Sequence, residues 1–195
     1  MKRQLFGVIG LGRFGSAIST TLAELGHDVI GVDSSEDRVR QLADVITHAV
    51  QIEATDAKAL RASGIADVNV AVVSIGENIE SSLLAVMLLH ELGIRTVVAK
   101  AVTALHGRIL ERLGVSKVIF PERDMAIRLA HSLVMPNVLD YVELSRDFSF
   151  VELPTPAPFL GQTLRQLELR PKYGLTLIAI KRRDDDGNEV TNVAP

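Results

Sequence analysis

The chemistry most plainly written in this chain is a turn that binds phosphate. Gly10-Leu11-Gly12-Arg13-Phe14-Gly15 is a GxGxxG, with an apolar run over residues 6–9 before it and a helical pattern over 16–25 after it. That context separates a nucleotide-binding fingerprint from a glycine-rich turn without a ligand. Gly10 permits the tight turn, Gly12 lets the backbone approach a diphosphate, and Gly15 lets the helix pack close to the strand. The helix start then offers unpaired N–H groups and a partial positive charge to the phosphates. Asp33 ends the next apolar run, eighteen residues after Gly15. A carboxylate there accepts hydrogen bonds from ribose hydroxyls. Its charge would repel a 2′-phosphate, which disfavours NADP. Arg13 lies inside the loop. It is either a solvated surface charge or a fixed cation for a terminal phosphate, to which a guanidinium donates two hydrogen bonds. A dehydrogenase has no need of that cation, so Arg13 points to a nucleoside di- or triphosphate.

These residues need a scaffold, and the hydrophobic pattern supplies one. Short apolar runs recur at 5–9, 29–32, 49–52, 70–75, 96–99 and 118–120. Rich in Val and Ile and apolar on both faces, they predict strands of a parallel sheet covered on both sides. Helical stripes lie between them: Ile18, Leu22 and Leu25; Val39, Leu42 and Ala43; Leu84, Met87, Leu88 and Leu92; Leu105, Ile109, Leu110 and Leu113. Gly26, Gly64, Gly93 and Gly114 stand where helices should end and supply the left-handed residue there. The alternation predicts an α/β fold, a doubly wound parallel-sheet Rossmann domain over residues 1–135. The helix expected over 79–92 carries apolar residues on more than one face. It should be buried on several sides, by the sheet alone or by a second subunit as well.

The pattern changes after Met135-Pro136. Residues 136–195 predict a linker and a small α+β domain. They show partial alternation over 141–153, a stiff Pro-rich stretch over 154–158, and Thr163 as cap of a short helix through Leu167. Gln166 is placed to complete a capping box. A strand is expected over 175–180. Asp185-Asp186-Gly187-Asn188 is a hairpin turn signal leading into a return strand over 189–191. So short a second arm would bury Leu175, Leu177 and Ile178 poorly. We therefore expect this domain to be truncated, or completed by a partner.

Composition narrows the function. The 195 residues hold no Cys, which excludes a disulfide scaffold, thiolate catalysis and Cys-held metal centres. The net charge of −3 argues against a nucleic-acid binder, and no winged helix or basic DNA-reading element is evident, so a redox-sensing transcription factor ranks last. The longest wholly apolar run, 83–89, falls well short of the ~20 residues of a spanning helix. The N-terminal apolar stretch is broken by Gly7, Gly10, Gly12 and Arg13 and does not read as a signal peptide. The five His residues are scattered and read mostly as surface or capping residues, and no GxSxG elbow or Walker-type GxxxxGK[ST] occurs. The residues thus describe a nucleotide-binding domain without evident catalytic machinery, and we expect no enzyme. The alternative is a small NAD-dependent oxidoreductase.

Several stretches together resemble one family. The glycine loop, Val32-Asp33, Ala54-Thr55-Asp56, Ser74-Ile75-Gly76-Glu77-Asn78, Val98-Ala99-Lys100-Ala101 and Phe120-Pro121-Glu122-Arg123-Asp124-Met125 are similar to the RCK (TrkA-N/TrkA-C) domain. More narrowly, they resemble the cytosolic regulatory subunits of bacterial Ktr/Trk-type potassium uptake systems. Residues 160–164 and 169–174 resemble the small C-terminal domain of that family, which normally continues for further strands.

The resemblance implies a homodimer that assembles into an octameric gating ring beneath an integral-membrane potassium channel or transporter. That places it in the cytoplasm, peripheral to the inner face of the membrane. It implies ATP/ADP or NAD(H) in the cleft, with Gly10, Leu11, Gly12, Arg13, Phe14 and Gly15 at the phosphates and Arg13 sensing the γ-phosphate. Asp33 and Ser34 would face the ribose with Arg38 nearby. Ala54, Thr55 and Asp56, with Ser74, Ile75, Gly76, Glu77 and Asn78, would line the adenosine end. Lys100 would add charge near the phosphates, or is simply solvated at a strand end. Glu122 would help bind Mg2+ or Ca2+ at the dimer seam, or is an acid favourable at a helix N-terminus. In some relatives the small domain binds cyclic di-AMP. Arg170 and Tyr173 are the residues to watch, against a helix-end Arg and a packing Tyr.

Overall fold

The computed structural model describes residues 3–134, 140–145, 147–184 and 186–193. Ten strands and eight α-helices run in chain order: β1 (Leu5–Ile9), α1 (Arg13–Glu24), β2 (Asp28–Asp33), α2 (Glu36–Leu42), β3 (His48–Gln51), α3 (Ala57–Ala62), β4 (Val70–Val73), α4 (Ile79–Glu91), β5 (Val97–Lys100), α5 (Ala104–Arg112), β6 (Lys117–Ile119), α6 (Pro121–Val134), β7 (Asp140–Ser145), β8 (Phe148–Glu152), α7 (Leu164–Leu167), α8 (Leu169–Tyr173), β9 (Ala179–Arg183) and β10 (Glu189–Val193). The chain divides into two compact units, 1–125 and 126–195. The boundary expected at Met135-Pro136 falls on residues outside the described set.

The first unit is the expected parallel sheet, with six strands in the order β3-β2-β1-β4-β5-β6. Side chains alternate across it. Val8, Val29 and Val72 point to a core with Leu11, Leu42 and Ile46, against which Phe14, Ile18 and Leu22 of the α1 region pack. Ile9, Ile30, Val32, Ala71 and Val73 point the other way, into a core with Leu60, Ala85, Val86, Leu89 and Leu110 from α3, α4 and α5. Both faces are therefore covered, which is why the strands read as unbroken apolar runs.

Local signals act as expected at the helix ends. Gly26, Gly64, Gly93 and Gly114 all have φ between 83° and 85°, where a side chain would strain the backbone. Some stripe positions are corrected. Leu25 is 69% exposed because α1 ends before it, and Leu105 is 59% exposed because α5 presents Leu110 and Gly107 inward instead. On α4 the buried side is Ser82, Ala85, Val86 and Leu89, while Leu84 and Met87 face outward. His106 is no surface residue: it is buried, and burial lowers its pKa and favours the neutral ring.

The second unit contains two antiparallel pairs, β7-β8 and β9-β10. Thr163 and Gln166 form the capping box at α7, with each side chain bonded to the other's backbone. The strand expected over 175–180 is displaced: β9 begins at Ala179, where pairing with Val193 begins. Register set by the hairpin overrides the apolar run before it. Asp185 of the expected turn lies outside the described residues. Asp184 accepts backbone bonds from Asp186 and Asn188 there, with Gly187 at φ 84°.

Candidate nucleotide-binding site

Because the six strands are parallel, their carboxyl ends share one edge. Every residue expected at the site lies on that edge or in the segments that leave it. The strand order reverses between β2-β1 and β4, and in such sheets ligands bind at this switch point.

The glycine loop leaves β1 at the switch point. Gly10 has φ 93°, and a side chain there would crowd Ser74 and Ile75. A Cβ on Gly15 would overlap the Gly10 carbonyl oxygen and approach Ser74 Oγ, so only glycine fits. Gly12 is different. A Cβ there would meet only Arg38 Nη1, at 3.9 Å, so the space beside it is open for a ligand. Ser74 Oγ donates a hydrogen bond to the Gly10 carbonyl and ties the loop to the end of β4.

Asp33 has two tasks. Its carboxylate accepts from the Leu11 N–H at 2.6 Å and from the Ser35 N–H at 2.8 Å. These bonds hold the glycine loop and the start of α2 together. Its side chain is 5% exposed, and Arg38 Nη1 lies 3.5 Å from Oδ2. Arg38 also reaches Glu77, 3.6 Å away on the loop after β4. A carboxylate offers about four acceptor positions, so capacity remains for ribose hydroxyls.

The start of α1 fits a phosphate. The helices α3, α4, α5 and α7 are capped by the side chains of Asp56, Asn78, Thr103 and Thr163. The N-cap of α1 is Gly12, with no side-chain cap. Its first N–H groups therefore carry the partial positive charge toward the open side of the loop. Arg13 is exposed at the first helical position.

On the far side of the loop, Lys100 Nζ lies 5.9 Å from the centre of the Phe14 ring. It is 3.6 Å from the position a Gly76 Cβ would take. Lys100 donates to Glu122 Oε1 at 2.6 Å. That hydrogen bond holds the Glu122 carboxyl below its usual value, and Arg13 adds further attraction. Glu122 sits in the first turn of α6, after Pro121. Among the described residues no group of three or more His, Cys, Asp or Glu side chains could hold a metal ion. The Mg2+ or Ca2+ expected at Glu122 belongs to a dimer seam, where ligands would come from two chains, and within one chain Glu122 is paired with Lys100.

The structure separates some of the expected residues. Ser34 is exposed, and its carbonyl accepts from Gln51 Nε2. Ala54 and Thr55 form the turn after β3, and Asp56 Oδ1 is engaged by the Lys58 and Ala59 N–H groups. Five strand spacings separate β3 from β6, about 24 Å at ~4.8 Å each. The two ends of the expected residue set therefore lie at opposite ends of the sheet's carboxyl edge. Glu77, expected along the adenosine end, faces Arg38. Its pairing with Arg38 is visible only once β2 and β4 flank β1. In the second unit, Tyr173 packs on Phe159 with ring centres 5.5 Å apart, and Arg170 lies on α8.

Comparison with known proteins identifies the family. The TrkA-N domain profile matches residues 6–121. The chain is 43% identical over 182 residues to the Ktr system potassium uptake protein C of Bacillus subtilis, covering 93% of this chain and 82% of that one. It is 40% identical over 185 residues to the Ktr system potassium uptake protein A of the same organism, covering 95% and 83%. Among solved structures, the GsuK channel bound to NAD aligns with a TM-score of 0.63 and 18% identity over 91% of this chain and 33% of that one. GsuK bound to ADP aligns at 0.51 and 17%, over 60% and 31%. At such identities the GsuK structures support the fold alone. A profile match over more than half of the chain and relatives at 40% identity or more along nearly all of it lead to one conclusion: the chain belongs to the TrkA-N domain family.

Proposed function

We propose that this protein is the nucleotide-sensing regulatory subunit of a potassium uptake system. The observation that carries the reading is the glycine loop, open at Gly12 and fixed by Asp33, in a chain similar along its length to Ktr potassium uptake proteins. ATP, ADP or NAD(H) is the ligand, with phosphates at the start of α1 and ribose at Asp33. Arg13 and Lys100 supply positive charge beside the phosphates. Leu11 and Phe14 contribute chiefly their backbone, and Ser74, Ile75 and Gly76 form the β4 wall. The chain's own residues bind and orient the ligand, and we assign no bond-breaking step to them. The oxidoreductase alternative rests on the same loop and gains no support from the relatives.

Regulation follows from linkage. A nucleotide changes ion flux only by the difference in its affinity for two shapes of the assembly. The partner is a membrane potassium transport subunit, and the protein works at the cytoplasmic face of the membrane. The assembly is a homodimer built into an octameric ring, and the outward-facing Leu84 and Met87 of α4 suit a subunit contact. In the described residues no helix is long and apolar enough to cross a membrane. Cyclic di-AMP at Arg170 and Tyr173 remains a subsidiary part of the proposal.

Titration calorimetry with ATP, ADP, NADH and NADPH tests the reading. It stands if ATP, ADP or NADH binds, and falls if NADPH binds best and ATP not at all. Arg13→Ala should weaken ATP more than ADP. Equal losses would remove the γ-phosphate role.

A further inference from the structure

The ribose corner holds more negative charge than one ribose-binding acid requires. Asp33 is buried and fixed by two backbone N–H groups, so it cannot swing away from a ligand. Arg38, 42% exposed, lies between Asp33 at 3.5 Å and Glu77 at 3.6 Å, with Glu77 91% exposed. One guanidinium thus faces two carboxylates beside the open space at Gly12.

A guanidinium near the ribose would ordinarily welcome a 2′-phosphate, because it can donate two parallel hydrogen bonds to it. Here both of its near neighbours are acids, one at the end of β2 and one on the loop after β4. We propose that Glu77 is a specificity-determining positioning residue: it holds Arg38 away from a 2′-phosphate and reserves the corner for adenylates with a free 2′-hydroxyl. The inference rests on the nucleotide reading above and deepens it by naming the ligand class. Asp33 excludes the 2′-phosphate by repulsion. Glu77 does so by occupying Arg38, the guanidinium beside Asp33. The size of the effect is set by exposure, since ion pairs at the surface are weak.

The test is calorimetry on the full chain with two probes, AMP and adenosine 2′,5′-bisphosphate, read as the ratio of their affinities. The unsubstituted protein should favour AMP. Glu77→Gln should narrow the ratio by about two- to fivefold, the range an exposed ion pair carries. The narrowing should vanish when Glu77→Gln is made in an Arg38→Ala background. An unchanged ratio in Glu77→Gln overturns the inference while leaving the nucleotide reading intact. Equal narrowing without Arg38 overturns the route through Arg38. Binding of neither probe to a protein that still binds ATP, ADP or NADH overturns this inference alone, and binding of none of the five removes the nucleotide reading with it.

Discussion

The two units of this chain use apolar residues in opposite ways. In the first, both faces of a six-stranded sheet are sealed by helices, and side chains such as Ile9, Val32, Leu89 and Leu110 are fully buried. In the second, Leu167 is the one buried apolar side chain among the described residues. Phe148, Leu160, Leu175 and Val193 are all at least 51% exposed there. The difference lies in the sheets. Six parallel strands with crossover helices build two cores, whereas a two-stranded antiparallel pair has little surface against which to bury anything. Stability should therefore sit in the first unit, and packing sensitivity with it.

The contrast can be broken most sharply by deleting matched side chains. Leu89→Ala should cost about 2–5 kcal/mol in denaturant unfolding, because it empties a fully buried site. Leu175→Ala, at a position 51% exposed, should stay within about 0.5 kcal/mol. Comparable losses would show that the second unit has a core of its own in solution.

A second comparison lies within the glycine loop. Gly15→Ala places a methyl group against the Gly10 carbonyl and should lower stability by about 1–3 kcal/mol and abolish nucleotide binding together. Gly12→Ala has room, so its melting temperature should barely change while nucleotide affinity falls. Melting curves and calorimetry on both variants check this. If Gly12→Ala bound normally, the phosphates would lie elsewhere.

Helix caps give a smaller effect that should differ between units. Thr163→Ala removes one half of a capping box and should cost about 1 kcal/mol locally. With so little burial around it, α7 should lose amide-exchange protection. Thr103→Ala removes the cap of α5 at a similar cost, but the buried Leu110 should keep that helix protected.

The smallest effect is electrostatic. Lys100 lowers the pKa of Glu122 from its ordinary 4.5, so the folded state binds that proton less readily than the unfolded chain. The stabilisation is present above pH 4.5 and is lost as pH falls below it through the lowered value. Glu122 is largely exposed, so Glu122→Gln should change stability by less than about 1 kcal/mol at neutral pH. It should also flatten the acid limb of the stability curve. An unchanged acid limb would show that the pair is screened away in solution.

The fold class was legible because each strand–helix repeat carries its own punctuation. Gly26, Gly93 and Gly114 stop their helices, and the Val-rich runs mark doubly covered strands. What misled was position within a helix. Leu25, Leu84 and Leu105 match a 3.6-residue period, yet they lie on faces or ends that the sheet does not reach. The strand at 175–180 misled for a similar reason: apolar content alone does not fix a hairpin's register. In the site, the glycines and Asp33 were legible because the chemistry demands those types at that spacing.

The sequence by itself determined the repeat of strands and helices, the phosphate turn and the capping box of α7, since each depends on residues within a few positions of one another. Only the tertiary structure decided which distant residues meet. Asp33 receives the Leu11 N–H, Ser74 ties down Gly10, Arg38 lies between Asp33 and Glu77, and Lys100 takes Glu122. Those meetings follow from placing β1 between β2 and β4, and β5 beside β6. Strand order is a global property of packing and crossover connections, and no local pattern of residues encodes it.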